Sequence, residues 1–179
     1  METVVKFICQ NGQEVTLRPA APEDARQIID TINSVAQERS YILTDKFKKS
    51  EIEERDYIAT LDTEKNLLLV AEVDGQVIGG LGAHQASSGR HFKTAHVCEV
   101  GLHLIKPYRE QGIGSKMLEY AIEWAKAKGY KKLDACIFTS NKRSLNLFRK
   151  FGFVVEGKRM KQFRIGNEYI DEVIMGKIL

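Results

Sequence analysis

The sequence predicts an α/β or α+β fold, a mixed β-sheet with helices on its faces. Three observations predict it. Along several short segments apolar residues alternate, as in half-buried strands. In others they recur every three or four positions, as on one face of a helix. The two kinds of segment are interleaved along a chain of 179 residues, a length that suits one compact domain over residues 1–179.

Val4–Cys9 is apolar-rich, Asn11-Gly12 signals a turn, and Glu14–Arg18 alternates, so the chain opens with a hairpin. Pro22-Glu23-Asp24 starts a helix, because proline there gives up no amide bond and acids suit the positive helix end. Ala25, Ile28, Ile29, Ile32, Val35 and Ala36 carry its stripe down to about Gln37. Residues 39–49 read as a loop. Ser50-Glu51-Ile52-Glu53 is a capping box that starts a second helix, to about Leu61.

Leu67–Val73 and Gln76–His84 are strands joined by the hairpin signal Asp74-Gly75, and Ala86–Lys93 is a loop. In the strand His96–Ile105, Cys98, Val100, Leu102 and Leu104 face one way, and Glu99, Gly101 and His103 the other. After Gly112 a long helix carries Ile113, Met117, Leu118, Ala121, Trp124 and Ala125, with Gly129 as its stop. Lys132–Phe138 is apolar on both faces, as a central parallel strand is. A short helix, Asn141–Phe151, ends at Gly152, and Phe153–Arg164 with Tyr169–Leu179 forms a last hairpin. The order is β-β-α-α-β-β-β-α-β-α-β-β.

Composition excludes several classes. Hydrophobic residues make up 43% and charged residues 28%, which rules out a disordered or collagen-like chain. No stretch approaches the ~20 apolar residues of a membrane span. The start shows no secretory signal, so a cytoplasmic protein is expected, with no membrane partner. Lys and Arg number 27 against 24 Asp and Glu, too balanced for a nucleic-acid partner. Cys9, Cys98 and Cys136 are odd in number and widely spaced, and form neither a zinc pattern nor a disulfide framework. Each lies in an apolar run, so buried reduced thiols and no metal are expected.

Charge is unevenly placed. Residues 141–164 hold Lys142, Arg143, Arg149, Lys150, Lys158, Arg159, Lys161 and Arg164 against Glu156. Residues 50–64 hold Glu51, Glu53, Glu54, Asp56, Asp62 and Glu64 against Arg55. A basic patch suits an anionic ligand and an acidic patch a cationic one.

Chemistry concentrates at Arg109-Glu110-Gln111-Gly112-Ile113-Gly114, where a strand gives way to a helix. The first amides of a helix have no internal partner, the helix dipole adds positive potential, and glycine admits a phosphate close to the backbone. The segment is an anion cradle with Arg109 as a candidate cation. It has neither the lysine of a nucleotide P-loop nor a G-x-G-x-x-G fingerprint, since Met117 stands where the third glycine would be.

Arg-x-x-Gly-x-Gly after Leu-Ile-Lys-Pro resembles the acetyl-CoA loop of the GNAT superfamily of N-acetyltransferases. Asn141-x-x-Ser144-x-x-Leu147-Phe148-x-x-x-Gly152-Phe153 is similar to that family's later motif, Asn-x-x-Ala-x-x-Leu-Tyr-x-x-x-Gly-Phe. The opening Val15–Arg18 with Pro22-Glu23-Asp24 fits the family's start. The tail, Glu156-Gly157 then Gly166-Asn167-Glu168-Tyr169 and Asp171-Glu172-x-x-Met175, resembles a bacterial subgroup of ribosomal-protein-alanine, spermidine and small-antibiotic acetyltransferases.

The resemblance implies a largely antiparallel sheet of about seven strands flanked by four helices, with a splayed pair of central parallel strands. It implies that the pantetheine arm of acetyl-CoA pairs with the backbone of His103, Leu104 and Ile105. The pyrophosphate would sit on the amides of Arg109, Glu110, Gln111, Gly112, Ile113 and Gly114, with Ser115 adjacent. Asn141 would bond the arm, Phe148 would pack on it, and the basic cluster would help hold the anion. Acetyl transfer needs a neutral amine, yet an alkylamine titrates near about 10.4, so a base must take its proton. Glu99 is the candidate, with His103 and His96 as alternatives. Amides near Leu104 would polarise the thioester carbonyl, and attack would be direct, without an acyl-enzyme. In the family, the tyrosine that protonates the leaving thiolate stands where this chain has Phe148; Tyr108 and Tyr169 are other candidate donors.

The resulting expectation is an acetyl-CoA-dependent transferase acting on a small or cationic primary amine. A polyamine would suit the acidic stretch 50–64, placed by the resemblance beside the acceptor site. A protein N-terminus or lysine, or a non-catalytic acyl-CoA-binding module, are the other readings. The last hairpin is a candidate homodimer surface.

Overall fold

The computed structural model describes residues 3–39, 42, 46–86 and 92–179. Among them the strands are β1 (Val5–Ile8), β2 (Glu14–Pro19), β3 (Asn66–Val73), β4 (Gln76–Gln85), β5 (Val97–Leu104), β6 (Lys132–Phe138), β7 (Val154–Ile165) and β8 (Glu168–Ile178). The helices are α1 (Ala25–Ala36), α2 (Glu51–Ala59), α3 (Ile113–Ala127) and α4 (Lys142–Lys150). The order matches the one read from periodicity, and the sheet has eight strands where the resemblance implied about seven. The expected loops 39–49 and 86–93 lie partly outside the described residues.

The sheet runs β1-β2-β3-β4-β5-β6-β8-β7, and every neighbouring pair is antiparallel except β5 and β6. The hairpins form where turn residues allow. Asp74 and Gly75 both take positive φ, 49° and 78°, as the tight turn between twisted strands requires. The entry to α1 is a 3-10 turn over Pro22–Asp24. The capping box is present: the Ser50 side chain accepts from the Glu53 amide, and the Glu53 carboxylate accepts from the Ser50 amide.

Helices cover both faces. On one, Ile113, Met117, Leu118 and Ala121 of α3 and Leu145 and Phe148 of α4 are buried against Leu69, Leu81, Cys98 and Leu133. On the other, Ala25 and Ile28 of α1 and Ile58 of α2 close over Val70 and Val77. Alternation along β5 therefore sends Cys98, Val100 and Leu104 toward α3, and Glu99, Gly101 and His103 toward α1. Among the described residues no helix is long and apolar enough to cross a membrane.

Candidate active site

β5 and β6 pair over only three positions, Val97↔Lys132, Cys98↔Leu133 and Glu99↔Asp134. β4 stays with β5 as far as Gly79↔Leu104, and β8 stays with β6 as far as Phe138↔Glu172. Beyond Glu99 the two central strands part, and a crevice opens between Val100–His103 and Ala135–Phe138. Backbone groups facing it have no ladder partner, and buried amides must find one elsewhere. The Ile105 amide donates to the Ile78 carbonyl at 3.0 Å. Alternation directs the His103 backbone to the same neighbour, β4. Of the three residues expected to meet the pantetheine arm, only Leu104 presents its backbone to the crevice. Leu102 does so too and was missed, because this parity follows from a strand pairing that one strand's sequence does not show. The Leu104 carbonyl is already engaged by Arg109 Nε at 2.8 Å.

The loop at the crevice mouth is built around uncapped amides. Gly112 sits at the N-terminus of α3 with φ 82°, and no side chain caps that helix. No acid lies in its first turn, whereas α2 and α4 are capped by Ser50 and Asn141. From behind, the Gln10 amide pins the loop by donating to the Gln111 carbonyl at 3.2 Å. Arg109 departs from expectation. Its guanidinium forms a forked pair with Glu38 at the end of α1, one bond being 2.8 Å, so its charge is matched within the chain. Those hydrogen bonds hold the Glu38 carboxyl below its ordinary range. Arg143 lines the mouth, 3.1 Å from Glu110; no other member of the basic cluster does so among the described residues.

α4 forms the far wall. Asn141 Oδ1 accepts from the Ser144 amide at 3.1 Å, which caps the helix and leaves its NH2 group as the donor it offers the crevice. Phe148 is only 2% exposed and meets Phe153 edge-on, with centroids 4.8 Å apart. Among the described residues no tyrosine lines either cavity; Tyr108 packs against the core and Tyr169 stands exposed.

On the α1 face a second cavity holds Gly82, His84, Glu99, Asp134, Cys136 and Arg159. It continues into the crevice, since Val100, Gly101, Ala135 and Cys136 line both. Glu99 is exposed and faces His84 across β4 and Asp134 across β6. His84, not singled out in the sequence, lies over Gly82, where a Cβ would come within 2.8 Å of its Nε2. Burial first, then Lys49, pushes its imidazole below the ordinary value. His103 is a different case. Its Nε2 lies 3.1 Å from Thr31 Oγ1, whose hydrogen goes to the Ile28 carbonyl, so the ring nitrogen is the donor. Burial, helped by Arg109, pushes His103 down to about 4, so it is neutral at pH 7 and ties β5 to α1. The exposed His96 is at the closed end of the β5–β6 seam, where its carbonyl accepts the Lys131 and Lys132 amides.

Two further expectations are corrected. Cys136 is exposed, because its side of β6 faces this cavity, whereas Cys9 and Cys98 are buried. Burial, then Glu99, pushes Cys98 up to about 12. The acidic stretch 50–64 does not line either cavity. Most of its carboxylates are engaged within the chain: Glu53 on the cap, Glu54 on Lys49 at 3.0 Å, Asp62 on Lys65 at 3.1 Å and Glu64 on Lys128 at 2.9 Å.

Residues 33–153 match the model of the acetyltransferase (GNAT) family. A candidate phosphinothricin acetyltransferase of Bacillus subtilis (strain 168) is 32% identical over 145 residues, covering 80% of this chain and 86% of that protein. An L-amino acid N-acetyltransferase of Escherichia coli (strain K12) is 25% identical over 114 residues, 62% of this chain and 67% of its own. A GNAT-family acetyltransferase structure from Streptococcus pneumoniae superposes with TM-score 0.86 at 26% identity, covering 92% of this chain and 99% of that one. The parted strands, the uncapped helix and these matches agree: the chain belongs to the GNAT family of acetyltransferases.

Proposed function

We propose that the protein transfers the acetyl group of acetyl-CoA to a primary amine by direct attack within a ternary complex. The observation that carries this is the parting of β5 and β6 beside the uncapped start of α3. The crevice offers unpaired backbone to an extended amide-bearing arm, and the helix start offers free amides and positive potential to a diphosphate. A structural relative from Sinorhizobium meliloti, TM-score 0.83, was solved with acetyl-CoA. In this reading the amides of Gly112, Ile113, Gly114 and their neighbours hold the pyrophosphate, with Ser115 and Arg143 at the rim. Leu102 and Leu104 bond the arm, Asn141 donates to it, and Phe148 packs on it.

The amine enters from the α1 face. Glu99, in the α1-face cavity next to the wall that Val100 and Gly101 share with the crevice, draws one proton from the ammonium. The neutral nitrogen attacks the thioester carbon, and the C–N bond forms while the amides of Leu102 and Leu104 stabilise the oxyanion. Collapse breaks the C–S bond, and the amide nitrogen releases its second proton. With Phe148 in the tyrosine's place, that proton or water neutralises the thiolate. Neither Cys98 nor Cys136 is needed: Cys98 is buried and its thiol is held protonated, and burial pushes the Cys136 thiol up as well.

The test is thiol release from acetyl-CoA with a panel of amines, polyamines and peptides. Turnover with a small amine supports the reading. Tight binding of acetyl-CoA with no release above hydrolysis would make the protein an acyl-CoA-binding module, and turnover with peptides alone would make it a protein acetyltransferase.

A further inference from the structure

The cavity on the α1 face carries opposite charges on opposite walls. Glu99 stands on the β5 side and Arg159, from β7, on the other, with Cys136 between them. Cys136 senses both: its thiol is pushed up chiefly by burial, and Glu172, Arg159, Glu99 and Asp134 all act on it. Glu99, Asp134, Cys136 and Arg159 all line this one cavity. The other walls bring His84, which burial favours as neutral, and Asp134, 2.9 Å from Lys132.

Arg159 is placed to bind an anion. Its Nη1 donates to Glu172 at 2.5 Å, and that carboxylate is only 3% exposed. The pairing anchors one corner of the guanidinium. A guanidinium has five N–H donors in a rigid plane, and half of this side chain remains exposed and borders the cavity. At 440 Å³ the cavity lies within the ~300–1,000 Å³ of small-ligand sites.

We infer that the acceptor is a free amino acid zwitterion, its ammonium group directed at Glu99 and its carboxylate held by Arg159. This deepens, and rests on, the acetyl-transfer reading above: the carboxylate fixes the molecule so that its nitrogen faces the parting of β5 and β6. Arg159 is then a specificity-determining residue, and Glu172 a positioning residue that acts through it. A side-chain ammonium of a protein, or a polyamine, lacks the group that Arg159 selects.

The experiment uses the full chain with acetyl-CoA and the standard L-amino acids as acceptors. The best of them is then compared with its amide, its decarboxylated amine and spermidine. The free acid is expected to exceed the amide and the amine at least tenfold in kcat/KM, because a charge-assisted fork is lost without the carboxylate. Arg159→Lys keeps a cation for Glu172 but loses the fork, and should cut the acid-to-amide ratio about tenfold. Equal rates for acid and amide, a preference for spermidine, or an unchanged ratio in the Arg159→Lys protein would overturn the inference while leaving acetyl transfer intact. Absence of turnover with every amine would overturn both.

Discussion

Glu99 is exposed on a strand whose neighbours along the chain are buried, and it faces the cavity where an amine would arrive. Substituting it with glutamine keeps the shape and removes the proton acceptor. Glu99→Gln should lower kcat/KM about 10²–10⁴-fold near neutral pH. The deficit should shrink as pH rises toward about 10, where the amine deprotonates itself. A pH–rate profile reads this, and an equal loss at every pH would assign Glu99 to binding. Side-chain identity along β5 was legible from alternation alone, since Glu99 and His103 do lie opposite Cys98 and Leu104. What alternation hides is which partner a polar group finds. Arg109 looks like a phosphate ligand in the motif, yet Glu38, seventy-one residues earlier, claims it. Nor does the sequence show His84, which becomes part of the site only because β4 pairs with β5.

At the scale of single elements, α3 starts on a glycine and no side chain caps its N-terminus. Gly112→Glu places a side chain at φ 82° and an anion against the free amides. Calorimetry should show acetyl-CoA binding lost; unchanged affinity would remove the diphosphate from this turn. By contrast α2 is closed by its own box. Ser50→Ala should cost about 0.5–2 kcal/mol in stability, read by denaturant unfolding, with little change in KM for acetyl-CoA. Both helix starts were legible, because glycine, serine and glutamate at fixed spacing state which amides are capped. The acidic stretch 50–64 was misread for a related reason: Glu54 of α2 pairs with Lys49, and Asp62 and Glu64 just after the helix pair with Lys65 and Lys128.

Across the whole molecule, Arg18 joins β2 to the entry of α1 and to β3. It bonds Asp24 at 2.6 and 2.8 Å and Glu72 at 2.7 and 2.9 Å. Burial works to raise the Asp24 carboxyl, but the bonds from Arg18 and the Ala21 amide outweigh it and hold it below its usual value. A depressed carboxyl stabilises the fold above its unfolded value of about 4, and the gain is lost as pH falls further. Asp24→Asn should therefore cost about 1–3 kcal/mol at pH 7, with the gap to the parent protein narrowing toward pH 3 in chemical denaturation. The strand order and the parting of β5 from β6 were not legible from local pattern. They depend on which strands meet after long connections, and only the family resemblance anticipated them. That parting divides the sheet into a leaf of five strands and a leaf of three, stitched by three rungs. A coenzyme lodged between the leaves would supply missing rungs to each, so deuterium uptake should slow together at Leu102 and at Cys136 when acetyl-CoA is added, and the protein should melt as a more cooperative unit than it does empty.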